Sequence, residues 1–183
     1  MSALFIKPMI EKSYEKGLHN LDSVLNSMND KQYKIKYEEV ESKPILSIGG
    51  TASMEEMPVV MPELFMKIGS YLGEKQIQPV GPPVTIWQSW SDTLSEMIVG
   101  FPVNKEVKGN DEFKVIDSYE GEVLSILHKG AYDEQHKTWQ VLMENIEKMG
   151  LETAGAPWEV YITDPQTEKD TSKWLTKLYQ PIK

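Results

Sequence analysis

Gly155-Ala156-Pro157-Trp158-Glu159-Val160-Tyr161 decides the fold, because Gly81-Pro82-Pro83-Val84-Thr85-Ile86-Trp87 anticipates it earlier in the chain. Each stretch is a Gly/Pro break followed by four residues suited to a strand. Outward from them, Ile45-Leu46-Ser47-Ile48 is answered by Val123-Leu124-Ser125-Ile126, and Phe101-Pro102-Val103 by Gln180-Pro181-Ile182. The steps between partners are 74, 78 and 79 residues, nearly constant and in one order. Common strand chemistry could produce one such match by chance; three in register point to an internal duplication. The expected fold is therefore α+β. It is a tandem of two β-α-β-β modules with pseudo-twofold symmetry, about residues 33–103 and 112–182, forming an antiparallel curved sheet with two helices.

Periodicity fills in the elements. Strands are expected at 33–37, 45–48, 84–87, 96–103, 112–118, 122–129, 158–162 and 174–182. Met61, Leu64, Phe65, Ile68 and Leu72 share one face of a helix over 57–72, with Pro62 tolerable only near the first turn. Trp139, Leu142, Met143, Ile146 and Met149 line a second helix that opens at Asp133 and ends at Gly150. Ahead of both modules, Ile6, Ile10, Tyr14, Leu18, Leu21, Leu25 and Met28 form the stripe of an N-terminal amphipathic helix over residues 1–30. That stripe needs a covering surface, on the domain, another subunit or a protein partner.

Composition narrows the function. The 183 residues carry a net charge of -9, and every cation is Lys. An acidic chain without Arg argues against binding a phosphate backbone, so direct nucleic-acid binding is not expected. The chain contains no cysteine, which excludes disulfides and thiolate chemistry. No signal peptide and no long apolar run is present, so the expectation is a cytoplasmic protein without a membrane segment. His19, His128 and His136 lack metal-ligand spacing and read as structural or exposed. No phosphate loop or nucleophile elbow occurs, and neither metal nor cofactor is expected.

A seam between two symmetry-related modules is a common place for a ligand. Strand alternation separates Trp158, Val160 and Ile162 from Glu159 and Tyr161. The apolar trio is expected to cover the helix, leaving Glu159 and Tyr161 on the opposite surface; in the first module, Val84 and Ile86 would cover the helix and Thr85 and Trp87 face away. The repeat thus places Trp87 opposite Tyr161 and Thr85 opposite Glu159, and a single carboxylate breaks the symmetry. Two aromatic rings flanking an acid suit a flat or cationic organic molecule, through stacking and cation–π attraction. Trp90 and Tyr132 are candidates for the rim. The plainer reading is that Glu159 is a solvated outer residue and the aromatics ordinary core.

Leu127-His128-Lys129-Gly130-Ala131-Tyr132, then Trp139 in a helix, then Trp158-Glu159-Val160-Tyr161-Ile162-Thr163-Asp164-Pro165 resemble the GyrI-like, or AraC-type effector-binding, domain. The resemblance covers about residues 33 to 182. It implies the tandem fold and a site between the modules for lipophilic, often cationic, compounds. The family's Glu falls on Glu159, and its aromatic positions on Trp87 and Tyr161. Trp174-Leu175-Thr176-Lys177 departs from the family pattern by placing a cation where an acid is common. If that position lies near the site, one negative charge is lost there. More loosely, Phe5-Ile6-Lys7-Pro8 and Glu15 to Leu21 resemble the last helix of a lipid-transfer-like (START or SRPBCC) domain, which implies descent or excision from a longer protein.

The leading expectation is a stand-alone small-molecule-binding domain that senses or sequesters its ligand. An alternative is a hydrolase of electrophilic small molecules, with Glu159 activating water or stabilising a developing cation. A third is a factor that binds a protein such as a gyrase.

Overall fold

The computed structural model describes residues 33–91 and 93–183; the expected N-terminal helix lies outside the described residues. The elements run β1 (Ile35–Val40), β2 (Pro44–Ala52), α1 (Met57–Glu74), β3 (Val84–Ser89) and β4 (Ser95–Pro102), then β5 (Lys114–Asp117), β6 (Gly121–Lys129), α2 (Gln135–Lys148), β7 (Trp158–Tyr161) and β8 (Leu175–Pro181). All eight strands join one antiparallel sheet in the order β1-β6-β8-β7-β3-β4-β2-β5. The α+β tandem expected from the repeat is present. The pseudo-twofold axis passes between β3 and β7, with β3-β4-β2 on one side matched by β7-β8-β6 on the other.

The symmetry extends to an exchange. β1 precedes β2 in sequence but pairs with β6, and β5 precedes β6 but pairs with β2. Each half of the sheet is therefore closed at its edge by a strand that comes from the other half of the sequence, so the two halves are bound together beyond the central β3–β7 contact.

Each helix covers its own half. Leu64, Ile68 and Leu72 of α1 pack on Leu46, Ile48, Met97 and Val99. Leu142 and Ile146 of α2 pack on Leu124, Ile126, Leu178 and Ile35. α1 is entered through Ser53 and Glu56, whose side chains and backbone amides bond reciprocally as a capping box. Pro62 sits inside α1, beyond the first turn, so that helix forgoes one backbone hydrogen bond.

One expectation is reversed. Glu159 and Tyr161 are the buried residues of β7 and point under the helices: the indole of Trp139, on α2, reaches Glu159, and Phe65, on α1, packs edge-on against Tyr161. Trp87 likewise belongs to the core beneath α1. Trp158, Val160 and Ile162 face the other side of the sheet, where Trp158 stacks on Tyr179 at 4.8 Å between ring centroids and Ile162 is exposed. The acid turns inward because the helix side supplies hydrogen-bond donors. A run of alternating residues that are apolar or aromatic on both faces does not by itself say which face is covered.

Candidate ligand site

The site is assembled at the seam. In register, Thr85 of β3 lies directly opposite Glu159 of β7. Trp87 and Tyr161 follow two residues on in their own strands, so they share the helix-side face and flank the central pair at opposite ends. Of the two facing pairs expected from the repeat, Thr85 and Glu159 form a direct cross-strand pair, whereas Trp87 lies opposite Pro157 and Tyr161 opposite Pro83, because the two strands run antiparallel.

Glu159 is 4% exposed and forms no ion pair among the described residues. Its Oε1 accepts a hydrogen bond from Trp139 Nε1 at 2.9 Å, and its Oε2 accepts one from the Tyr161 hydroxyl at 2.7 Å. The Tyr161 oxygen also lies 3.1 Å from Thr85 Oγ1. Burial pushes the Glu159 pKa above the ordinary carboxylate value, against the opposing pull of Trp139, Tyr161 and Trp87, which hydrogen-bond the charged form. Burial likewise drives the Tyr161 hydroxyl well above its usual range, with the nearby Glu159 adding to the shift.

Aromatic rings enclose this centre. Tyr132 meets Tyr161 edge-on at 5.4 Å and lies tilted against Trp174 at 4.6 Å. Burial, then Asp164 and Glu159, push its pKa up to about 12, so it remains a neutral phenol. Trp90 meets Trp87 edge-on at 4.7 Å and is 56% exposed, which places it at the outer rim and away from the acid. The turn carrying Tyr132 is held from below: His128 is buried, with Nδ1 at 2.7 Å from Thr138 Oγ1 and Nε2 at 3.1 Å from the Ala131 carbonyl. Gly130 permits that turn, since its φ of +142° is one that a side chain rarely allows.

Of the residues singled out from sequence, Glu159, Tyr161, Thr85, Trp87 and Tyr132 come together, and Trp90 joins through Trp87. Trp139, whose helical spacing predicts a core residue, is a donor to the acid. Phe65 and Trp174 were also not singled out as site residues; helical spacing and end-of-strand position conceal such contacts. Lys177 corrects another expectation. It pairs in register with Val160, on the opposite face from Glu159. There its Nζ bonds both Glu38 carboxylate oxygens, at 2.7 and 2.8 Å, and lies 4.6 Å from the Tyr179 ring centroid. It takes no charge away from the Glu159 cluster. An open hollow of about 530 Å³ between the end of α1 and the loop after β4 shares no residue with that cluster.

The family described as GyrI-like small molecule binding domain matches residues 33–183. The chain belongs to the GyrI-like family. No curated protein matches it. Among solved structures it is similar to EcmrR in a cryo-EM complex with DNA, at 16% identity and a TM-score of 0.79, over 97% of this chain and 69% of that one. It is similar to a hydrolase from Listeria innocua at 17% identity and a TM-score of 0.58, over 81% of this chain and 91% of that one. SAV2435 bound to tetraphenylphosphonium is similar at 12% identity and a TM-score of 0.61, over 81% of this chain and 93% of that one. At these identities the likeness is one of fold. Among the described residues, no GyrI-like helix here is long and apolar enough to cross a membrane.

Proposed function

We propose that this GyrI-like chain binds lipophilic, aromatic or cationic compounds at the β3–β7 seam, with Glu159 as the charge that recognises them. The observation that carries the reading is a buried carboxyl enclosed by aromatic side chains and held by hydrogen-bond donors, with no ion-pair partner among the described residues. Such a group is costly to ionise alone, and a ligand cation removes that cost. The rings of Trp87, Tyr161, Tyr132 and Trp174 supply stacking and cation–π contacts on the way to it. Trp90 and Tyr132, at the outer side of the cluster, are the side chains that must yield for entry. Tetraphenylphosphonium, which SAV2435 binds, is a suitable probe for the chemistry.

The test is tryptophan-fluorescence titration of the wild type and Glu159→Gln with tetraphenylphosphonium and with neutral triphenylphosphine oxide. Glu159→Gln is expected to weaken the cation about tenfold or more and to leave the neutral compound nearly unchanged. Equal losses for both compounds contradict recognition by charge.

A second reading, hydrolysis of an electrophilic small molecule, draws on the same carboxyl, because burial raises its pKa toward the range of a general acid or base. Hydrolysis of p-nitrophenyl acetate that disappears in Glu159→Gln while triphenylphosphine oxide still binds favours the enzyme. Turnover that survives the change removes Glu159 from the mechanism.

A further inference from the structure

Among the described residues, three buried side-chain atoms have no hydrogen-bond partner: Thr176 Oγ1, Gln135 Nε2 and Asn145 Oδ1. Protein interiors rarely leave such groups unpaired, because each has given up its water. Thr176 lies in the cross-strand row next to that of Glu159, and Gln135 at the start of the helix that carries Trp139. Thr176, fully buried, stands in the row His128–Thr176–Tyr161 that runs across β6, β8 and β7. The alternation of β8 puts its side chain on the face of Leu178, under α2. Its neighbours are already engaged, His128 with Thr138 and Ala131, and Tyr161 with Glu159. Gln135, 7% exposed, opens α2 one turn before Trp139, the donor to Glu159. It follows directly on the turn that carries Tyr132. Asn145 lies nearly three turns farther along α2, and its amide nitrogen is held by the Val141 carbonyl.

The other half of the molecule supplies the comparison. Its equivalent row is Gly50–Met97–Trp87 across β2, β4 and β3, and Met97 is buried among apolar side chains. The fold therefore closes at this position around a thioether, and packing does not call for a hydroxyl. Where the first half places a thioether in this row, the second keeps a hydroxyl there and a buried carboxamide at the start of α2.

We propose that Thr176 and Gln135 form a polar lobe of the Glu159 site that donates hydrogen bonds to an oxygen of the ligand. This rests on the ligand-binding reading above and narrows it. The compounds that fit best are aromatic cations that also carry a carbonyl or ether oxygen, whereas a wholly hydrocarbon cation leaves the lobe unpaired. Discrimination arises because each polar group left without a partner in a closed site counts against the ligand that fails to reach it.

The test uses two phosphonium cations of nearly equal size, 4-acetylbenzyl- and 4-isopropylbenzyl-triphenylphosphonium, which differ by a carbonyl oxygen in place of a methyl group. Fluorescence titration of the full chain is expected to show about a threefold to tenfold preference for the acetyl compound. Thr176→Val, which keeps shape and removes the hydroxyl, is expected to bring the two affinities together, mainly by weakening the acetyl compound. Gln135→Leu is expected to narrow the gap in the same way. Thermal melting provides an independent reading: a hydroxyl with no partner in the unliganded protein costs stability, so Thr176→Val should melt no lower than the wild type. Equal wild-type affinities for the two cations, or a preference that persists in both variants, overturn the polar lobe while leaving charge recognition by Glu159 standing. Absence of binding by either cation overturns the ligand-binding reading and the lobe with it.

Discussion

The two halves of the sheet share a fold and differ in what they bury. Beneath α1 the core is Leu46, Ile48, Leu64, Ile68, Leu72, Met97 and Val99, and the buried hydroxyls of Thr85 and Ser95 on that face both have hydrogen-bond partners. Beneath α2 the corresponding layer also takes in His128, Gln135, Thr138, Asn145, Glu159 and Thr176. At the seam the difference is reduced to one pair, Thr85 against Glu159, in direct register. The apolar half meets the demands of folding. The polar half carries groups that packing alone does not require, and the proposed chemistry collects there.

The sharpest way to break that comparison is to make the halves alike. Thr85→Glu sets a second carboxyl directly opposite Glu159 with no added cation, and is expected to cost about 3–5 kcal/mol in urea unfolding near neutral pH. Most of that loss should return at low pH, where the two acids hold protons. Trp139→Phe removes a single donor from Glu159 and keeps an aromatic ring. It is expected to cost about 1–3 kcal/mol and to push the Glu159 pKa higher still, read by the pH dependence of unfolding.

That pH dependence has a definite sign. Glu159 holds its proton more tightly in the folded chain than in the unfolded one. Its contribution to stability is therefore fully present below the ordinary carboxylate value of 4.5 and is lost as pH rises through the raised folded value. Unfolding of Glu159→Gln, compared with wild type across that window, should lack this decline. Equal slopes for the two proteins contradict the buried, proton-retaining acid. The smallest effect is expected at Lys177, whose partly buried pair with Glu38 lies on the other face of the sheet. Lys177→Met should change stability by about 1 kcal/mol or less and tetraphenylphosphonium affinity by less than about twofold, measured by thermal melting and fluorescence.

Much of this was legible in the sequence, and the rest failed for identifiable reasons. The repeated Gly/Pro breaks and the strands after them marked the duplication, and the step of 74 residues set Glu159 against Thr85 correctly. Alternation separated Glu159 and Tyr161 from Trp158, Val160 and Ile162, since period two is a property of the backbone. Which set lies under the helices was not recoverable from hydrophobicity, because one of the donors that make burial of Glu159 tolerable is Trp139, on a separate helix. The exchange of β1 and β5 was equally hidden, as nothing local to a strand records which edge it will join. The motif position of Lys177 does not reveal its face; register puts it opposite Val160, away from Glu159. Thr176 was readable only as a motif letter; its significance lies in having neighbours already engaged, which is a fact of three dimensions.

The central claim, that one buried carboxyl recognises cationic ligands, is tested most directly by the pH dependence of tetraphenylphosphonium binding in wild type and Glu159→Gln. The account predicts that wild-type affinity rises with pH as Glu159 loses its proton, with proton release on binding at the acidic end, while Glu159→Gln binds more weakly and with no such rise. Wild-type and variant affinities that follow the same pH profile would contradict it.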